Sequence, residues 1–188
     1  MIRALTLASL ALAGAAPALA ATDVPLAPFH GLELNGGGDV VLKHGPVQKV
    51  TMLSGDLHYT TFTVKDGNLT IDACNSWHCP WRYDLRVEIV TPQLNAISVH
   101  GGGDLKTEGS FPHQNELAIS VHGGGDADLR AIPATTVAAD VHGGGDLKTT
   151  ATRSLTASVH GGGDLTYWGN PPQLAVSTKG GGDISRGD

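Results

Sequence analysis

Aromatic residues, cysteine and positive charge are all scarce in this 188-residue chain. There are only three each of Trp, Tyr and Phe, two cysteines, and 12 Lys and Arg against 18 Asp and Glu. The resulting formal net charge of -6 argues against nucleic acid or an anionic membrane as a partner. After residue 20 no apolar run reaches the roughly 18 residues that a membrane helix needs, so we predict no membrane span.

The N-terminal segment has the features of a secretory signal. Arg3 precedes an apolar stretch rich in Ala and Leu, and Ala18-Leu19-Ala20 stands where a signal peptidase would cut. We therefore predict a signal peptide over residues 1–20 and a periplasmic or secreted protein, with residues 21–188 as a single domain.

Cys74 and Cys79 lie close together in the segment CNSWHCPW. In a chain sent to an oxidising compartment, this spacing favours a local disulfide. Two alternatives stay open: a redox pair, although such pairs usually read Cys-x-x-Cys, and a metal knuckle that includes His78 but supplies only three ligands.

Glycine is the abundant residue, with 26 copies, and most of them fall in Gly-Gly-Gly triplets that are each followed by aspartate. These aspartates are Asp39, Asp104, Asp126, Asp146, Asp164 and Asp183. From Asp104 onward they recur after 22, 20, 18 and 19 residues, and a period near twenty is typical of a repeat architecture.

Apolar and polar residues alternate ahead of each triplet, as in Leu117, Ile119 and Val121 with Ser120 between them. A period of two predicts a strand with one buried face, and an apolar residue after each aspartate starts a second strand. We therefore predict an all-β fold, a right-handed parallel β-helix or β-roll solenoid with rungs of about 20 residues and stacked GGGD corners. Upstream of the regular repeats, Asp66-Gly67 predicts a hairpin turn.

The order of motifs resembles the head GIN domain family of autotransporter adhesins. The resemblance covers about residues 28 to 185 and is carried by the segments GGGDV, TFTVKDGNLTI, DLRVEIVTPQLNAISVHGGGDL and the later triplets. It implies a right-handed β-helical or β-roll fold and a place in the bacterial envelope, and it brings no catalytic residues. This chain departs from the family's usual Gly-Ser-Gly-Asp in having Gly for Ser, and in a histidine before four of the triplets.

The corner residues have a structural interpretation. Three glycines permit positive φ and close stacking of one corner on the next, so Gly124→Val is expected to cost several kcal/mol. The aspartate after each triplet can accept hydrogen bonds from corner N–H groups. Stacked carboxylates would also suit a hard cation such as Ca²⁺.

The repeated histidines predict a ladder beside the corners. Solvation of an exposed turn is one interpretation, and binding of Zn²⁺ or Cu²⁺ by neighbouring imidazoles is the other. The candidate metal ligands are His100, His122, His142, His160, Asp104, Asp126, Asp146 and Asp164.

Three classes of function follow. We expect no enzyme, since no catalytic constellation stands apart from the repeats, and no cofactor beyond such a divalent cation. The first hypothesis is a non-catalytic exported envelope protein, an adhesin-like binding or structural module for a cell-surface protein or glycan. The alternative is a periplasmic metal-binding protein that uses the His and Asp ladders. An uncovered last rung near Asp183 also offers an edge through which copies could form a homo-oligomer.

Overall fold

The computed structural model describes residues 21–74, 79–80 and 83–188. The predicted signal peptide and His78 lie outside the described residues. Within the described part of the chain, no helix is long and apolar enough to cross a membrane.

The described residues contain fifteen β-strands, and all of them join in one sheet. In chain order they are β1 (Thr22–Val24), β2 (Gly31–Gly36), β3 (Asp39–His44), β4 (Lys49–Ser54), β5 (Thr60–Lys65), β6 (Asn68–Ala73), β7 (Arg86–Thr91), β8 (Ala96–Gly101), β9 (Asp104–Glu108), β10 (Gln114–Gly123), β11 (Ala127–Gly143), β12 (Leu147–Gly161), β13 (Leu165–Trp168), β14 (Gln173–Gly180) and β15 (Ile184–Arg186). The all-β prediction is confirmed.

Parallel strands form two limbs that enclose the core. The first limb runs β6, β2, β8, β10, β11, β12, β14, and the second runs β7, β3, β9, β11, β12, β13, β15. The long strands β11 and β12 belong to both limbs, because their first residues pair in the second limb and their last residues pair in the first. The sheet therefore folds over on itself, and the inward side chains of both limbs pack into one cluster.

Buried and outward residues alternate along the strands, as the sequence predicts. Leu117, Ile119 and Val121 on β10 are at most 3% exposed, whereas Ser120 faces outward between them. Parallel pairing aligns them with Val137, Ala139 and Val141 on β11. Each apolar column thus continues through the stack, and burial of these columns provides the main stabilisation.

The predicted right-handed parallel β-helix or β-roll solenoid is wrong as a description of this fold. The sheet is mixed, since β1–β4, β4–β7 and β5–β6 are antiparallel pairs. One cause is the turn at Asp66 and Gly67, whose positive φ angles of 52° and 75° suit a two-residue hairpin, and a hairpin makes its strands antiparallel. The hairpin predicted at Asp66-Gly67 is present, but the solenoid prediction took no account of the antiparallel strands in this segment.

The glycine corners themselves stack in register. Strand pairing aligns the first glycines of the six triplets, Gly36, Gly101, Gly123, Gly143, Gly161 and Gly180. We call each strand, corner and following strand a rung. The side chains next to each triplet are therefore brought together in columns along one edge of the molecule.

Candidate functional site

Each corner is built by close contact between backbones. A Cβ at Gly123 would lie 2.3 Å from the Gly101 carbonyl oxygen, and a Cβ at Gly125 would lie 2.1 Å from the Gly103 carbonyl oxygen. Gly124 has no atom within 4 Å of its would-be Cβ and no left-handed φ. The choice of Gly124→Val as the disruptive substitution is therefore wrong, since only the first and third glycines of this triplet meet the neighbouring corner.

Hydrogen bonds between successive corners satisfy the turn. The Gly123 carbonyl accepts from the N–H groups of Gly144 at 2.8 Å and Gly145 at 3.1 Å, and the corner at Gly143 repeats this pattern one rung later. Buried or crowded backbone groups need such partners, and here the adjacent rung supplies them.

The aspartates form a bonded column on the far side of the triplets. The Asp104 carboxylate accepts the Asp126 N–H at 3.1 Å, and the same bond recurs from Asp146 N to Asp126, Asp164 N to Asp146 and Asp183 N to Asp164 at 2.8 to 2.9 Å. The donor is the backbone of the next rung, not the aspartate's own turn. Each bond offsets part of the repulsion between stacked carboxylates.

The four predicted histidines do form a ladder. Their ring centroids are 5.0 Å apart for His100 and His122, and 4.8 Å apart for the pairs His122–His142 and His142–His160, with ring planes parallel to within 7°. Strand pairing continues the column with Asn35 at one end and Lys179 at the other.

Electrostatics in the ladder disfavour protonation of its second ring. Partial burial lowers the pKa of His122, and the neighbouring rings of His100 and His142 lower it further, whereas Asp140 acts in the opposite direction. The Ser120 hydroxyl lies 2.9 Å from His122 Nδ1 and holds the ring in place. His122 is thus favoured in its neutral form.

Stacked imidazoles are poorly arranged to share a metal ion. A metal binds the lone pair in the plane of an imidazole ring, and parallel rings direct these lone pairs side by side. No group of three or more His, Cys, Asp or Glu side chains among the residues with described positions could hold a metal ion. Metal binding by the His and Asp ladders stays a prediction, and it requires the rings to rotate out of the stack.

The ladder borders a flat surface that we call the ladder face. It consists of the outward residues of β8, β10, the ends of β11 and β12, and β14. Three columns of five residues make it up: Ala96, Ala118, Ala138, Thr156 and Ala175; Ser98, Ser120, Asp140, Ser158 and Ser177; His100, His122, His142, His160 and Lys179. Within these three columns only Asp140 and Lys179 carry full charges when the histidines are neutral, and Asp140 accepts a hydrogen bond from Ser158. Glu116 on β10 and Glu33 on β2 lie at the border of the columns.

The opposite surface, which we call the charged face, has a different character. It comprises the outward residues of β3, β7, β9, β13 and the first halves of β11 and β12. Arg130 pairs with Asp128 at 2.6 Å and lies 4.9 Å from the centroid of the Trp168 ring, and Lys43 pairs with Glu88 at 2.8 Å. Exposed ion pairs of this kind are typical of a solvated surface.

The sequence carries a signal for the ladder face that lies outside the repeated His-Gly-Gly-Gly-Asp motif. Alanine stands eight residues before four of the six aspartates, as Ala118 does before Asp126. The alternation of inward and outward residues places these positions on the outer side of the sheet. Small residues that recur there at a fixed offset indicate a flat surface. The pairing of Arg130 with Trp168 had no such repeated signal.

The structure joins Cys74 and Cys79 in a disulfide, with their Cα atoms 5.7 Å apart. Cys74 directly follows β6 and has a positive φ of 63°. The bond therefore closes a short loop at the end of the molecule that is far from the last rungs.

Comparison with known proteins identifies the family. The chain matches the model of the family described as "Putative auto-transporter adhesin, head GIN domain" over residues 28–117 and 113–171. It is similar to the crystal structure of a putative adhesin from Bacteroides fragilis, with 20% identity, a TM-score of 0.55 and coverage of 89% of this chain and 96% of that one. A putative adhesin from Parabacteroides merdae is 13% identical, with a TM-score of 0.45 and coverage of 90% and 96%. No curated protein matches the sequence. Since the family model spans most of the chain, this protein belongs to the head GIN domain family of putative autotransporter adhesins.

Proposed function

We propose that this protein is a non-catalytic module of the bacterial cell envelope that binds a surface protein or glycan through its ladder face. The observation that carries the proposal is the contrast between its two surfaces. Exposed charges on the charged face pair with one another, whereas the ladder face presents a nearly neutral array of hydroxyl, methyl and imidazole groups.

The chemistry of the ladder face suits close contact with an extended partner. Alanine and serine side chains are short, so a partner can approach the sheet along its whole length. Serine hydroxyls and imidazole nitrogens can donate and accept hydrogen bonds without the desolvation cost of a full charge. A regular rigid surface also loses little conformational entropy on binding.

Contacts in the columns support a non-catalytic role. Ser120 and His122 lie within hydrogen-bonding distance, but Asp140 accepts from Ser158, so no described Ser-His-Asp relay forms there. The stacked aspartates accept hydrogen bonds from backbone N–H groups.

An exported location, periplasmic or secreted, is part of the same proposal and is supported by the N-terminal sequence and the family.

Binding of the immobilised chain to a panel of purified glycans and to envelope proteins tests the proposal. Ala118→Arg places a long side chain in the alanine column of the ladder face, and Thr166→Arg makes the same change on the charged face. We expect wild type and Thr166→Arg to bind the same partner, and Ala118→Arg to bind it about tenfold more weakly or worse. Absence of any binding by wild type, or equal weakening in both variants, would contradict the proposal.

A further inference from the structure

Strand β14 leaves the core open at one end of the first limb. All eight of its residues are exposed, and among the described strands it pairs with β12 alone. Leu174 and Val176 occupy inward columns and are each 49% exposed, whereas Leu155 and Ala157, their neighbours on β12, are 0% and 3% exposed. An edge strand with exposed apolar residues is a site for pairing with another chain.

The bonding pattern of the corners is also incomplete at this end. The Gly161 carbonyl accepts from Gly181 and Gly182, and the Asp164 carboxylate accepts from Asp183 N at 2.9 Å. The Gly180 carbonyl and the Asp183 carboxylate hold the equivalent positions in the last corner, and no described corner follows to donate to them.

The opposite end of the molecule is closed by antiparallel strands. There β5 pairs with β6, β4 pairs with β7 and β1 pairs with β4, and the side chains of Phe62 and Val64 pack against the core. These edge strands carry no glycine triplet. A head-to-tail contact would therefore place unlike edges together, whereas two open ends present the same edge to each other.

We propose that two copies of this protein associate through their open ends, with β14 pairing antiparallel with β14 of the partner subunit about a two-fold axis. Residues opposite each other in an antiparallel pair share a face, so Leu174 lies opposite Val176 of the partner subunit. Both apolar residues then become buried in a core that continues from one subunit to the other. A two-fold interface of this kind is self-complementary and closed.

Charge permits this contact. Residues 173–188 carry two basic residues, Lys179 and Arg186, and two acidic residues, Asp183 and Asp188, in a chain with a net charge of -6. The side-chain charges of the open end therefore cancel, which limits the repulsion that two acidic surfaces would suffer.

Sedimentation of residues 21–188 over a range of concentrations, compared between two variants of β14, tests the proposal. Val176→Lys puts a charge in the inward column, and Ser177→Lys puts the same charge on the outward side of the same strand, opposite Gln173 of the partner subunit. We expect a reversible dimer for wild type and Ser177→Lys, and a dissociation constant raised about tenfold or more by Val176→Lys, because pairing would bury its charge.

Hydrogen exchange provides an independent readout on the wild-type chain. Amide protection of β14 is expected to increase with protein concentration, while protection of β5 at the closed end does not change. Monomers at every concentration would overturn the proposal. So would loss of the dimer in Ser177→Lys but not in Val176→Lys, since that result assigns the interface to the ladder face.

Discussion

Within one corner the three glycines meet different physical constraints. Gly123 has a φ of 124°, which side chains rarely tolerate, and it also approaches the Gly101 carbonyl. Gly125 has no left-handed φ and is constrained by close approach alone, whereas Gly124 faces open space. Gly125 and Gly124 therefore differ mainly in how closely they approach the neighbouring corner. Substitutions at these two positions test the packing between corners directly.

Gly125→Ala is expected to lower the free energy of unfolding by about 3 kcal/mol or more, because its Cβ would overlap the Gly103 carbonyl oxygen. Gly124→Ala is the matched control, and we expect a change within about 0.5 kcal/mol. Urea denaturation of both variants gives the comparison. Equal effects at the two positions would show that the corners do not stack as described.

At the scale of elements, the histidine ladder is a consequence of parallel register. Four imidazoles stack because His100, His122, His142 and His160 occupy the same position in four paired strands. Protonation of the stack would place positive charges about 5 Å apart and next to Lys179. The pKa of His122 is lowered by its place in this stack, so His122 links the stability of the fold to pH.

We expect acid to destabilise the protein in part through His122. Its pKa is lowered in the folded state, so below about pH 6.5 the unfolded chain binds the proton more readily than the folded chain does. The free energy of unfolding is then lost as the pH falls from that value through the lower folded pKa. His122→Gln is expected to reduce the loss between pH 7.5 and 5.0 by about 0.5 kcal/mol, since solvent screens this exposed site.

His58→Gln is the control, because His58 is exposed and outside the ladder. Urea denaturation at the two pH values measures the effect. If the free energy of unfolding has the same pH dependence in wild type and His122→Gln, protonation of His122 does not contribute to acid destabilisation.

How much of the structure could be predicted differs between elements. The alternation around Ile119 and Val121 identified the buried columns, and the repeat spacing aligned the histidines, since both follow from local periodicity. The antiparallel pairing of β1, β4 and β7 depends on contacts between distant segments, which no local pattern encodes. The neutral character of the ladder face also became visible only when register placed Ala96, Ala118 and Ala138 side by side.

For the whole molecule, the two ends differ in construction while the middle is uniform. Each strand pairs mainly with its immediate neighbours in a limb, so a change at one end is expected to stay local. The closed end holds the disulfide next to β6, and the open end holds β14. A perturbation of the disulfide therefore tests how far coupling extends through the sheet.

Loss of the Cys74–Cys79 bond is expected to loosen the closed end and leave the last rungs intact. Closing so short a loop restricts the unfolded chain by about 2 kcal/mol, so Cys74→Ser with Cys79→Ser should lower the free energy of unfolding by a similar amount. Hydrogen exchange should speed up in β5 and β6, which adjoin Cys74, and stay unchanged in β12, because the intervening strands keep their pairing.

Dithiothreitol should reproduce both effects in wild type and have none in the double variant, which controls for action elsewhere in the chain. Intact mass after alkylation without reductant checks the starting state, and two alkylated thiols in exported protein would rule out the bond. A uniform rise in exchange from β5 to β12 would instead show that the whole sheet unfolds as one cooperative unit.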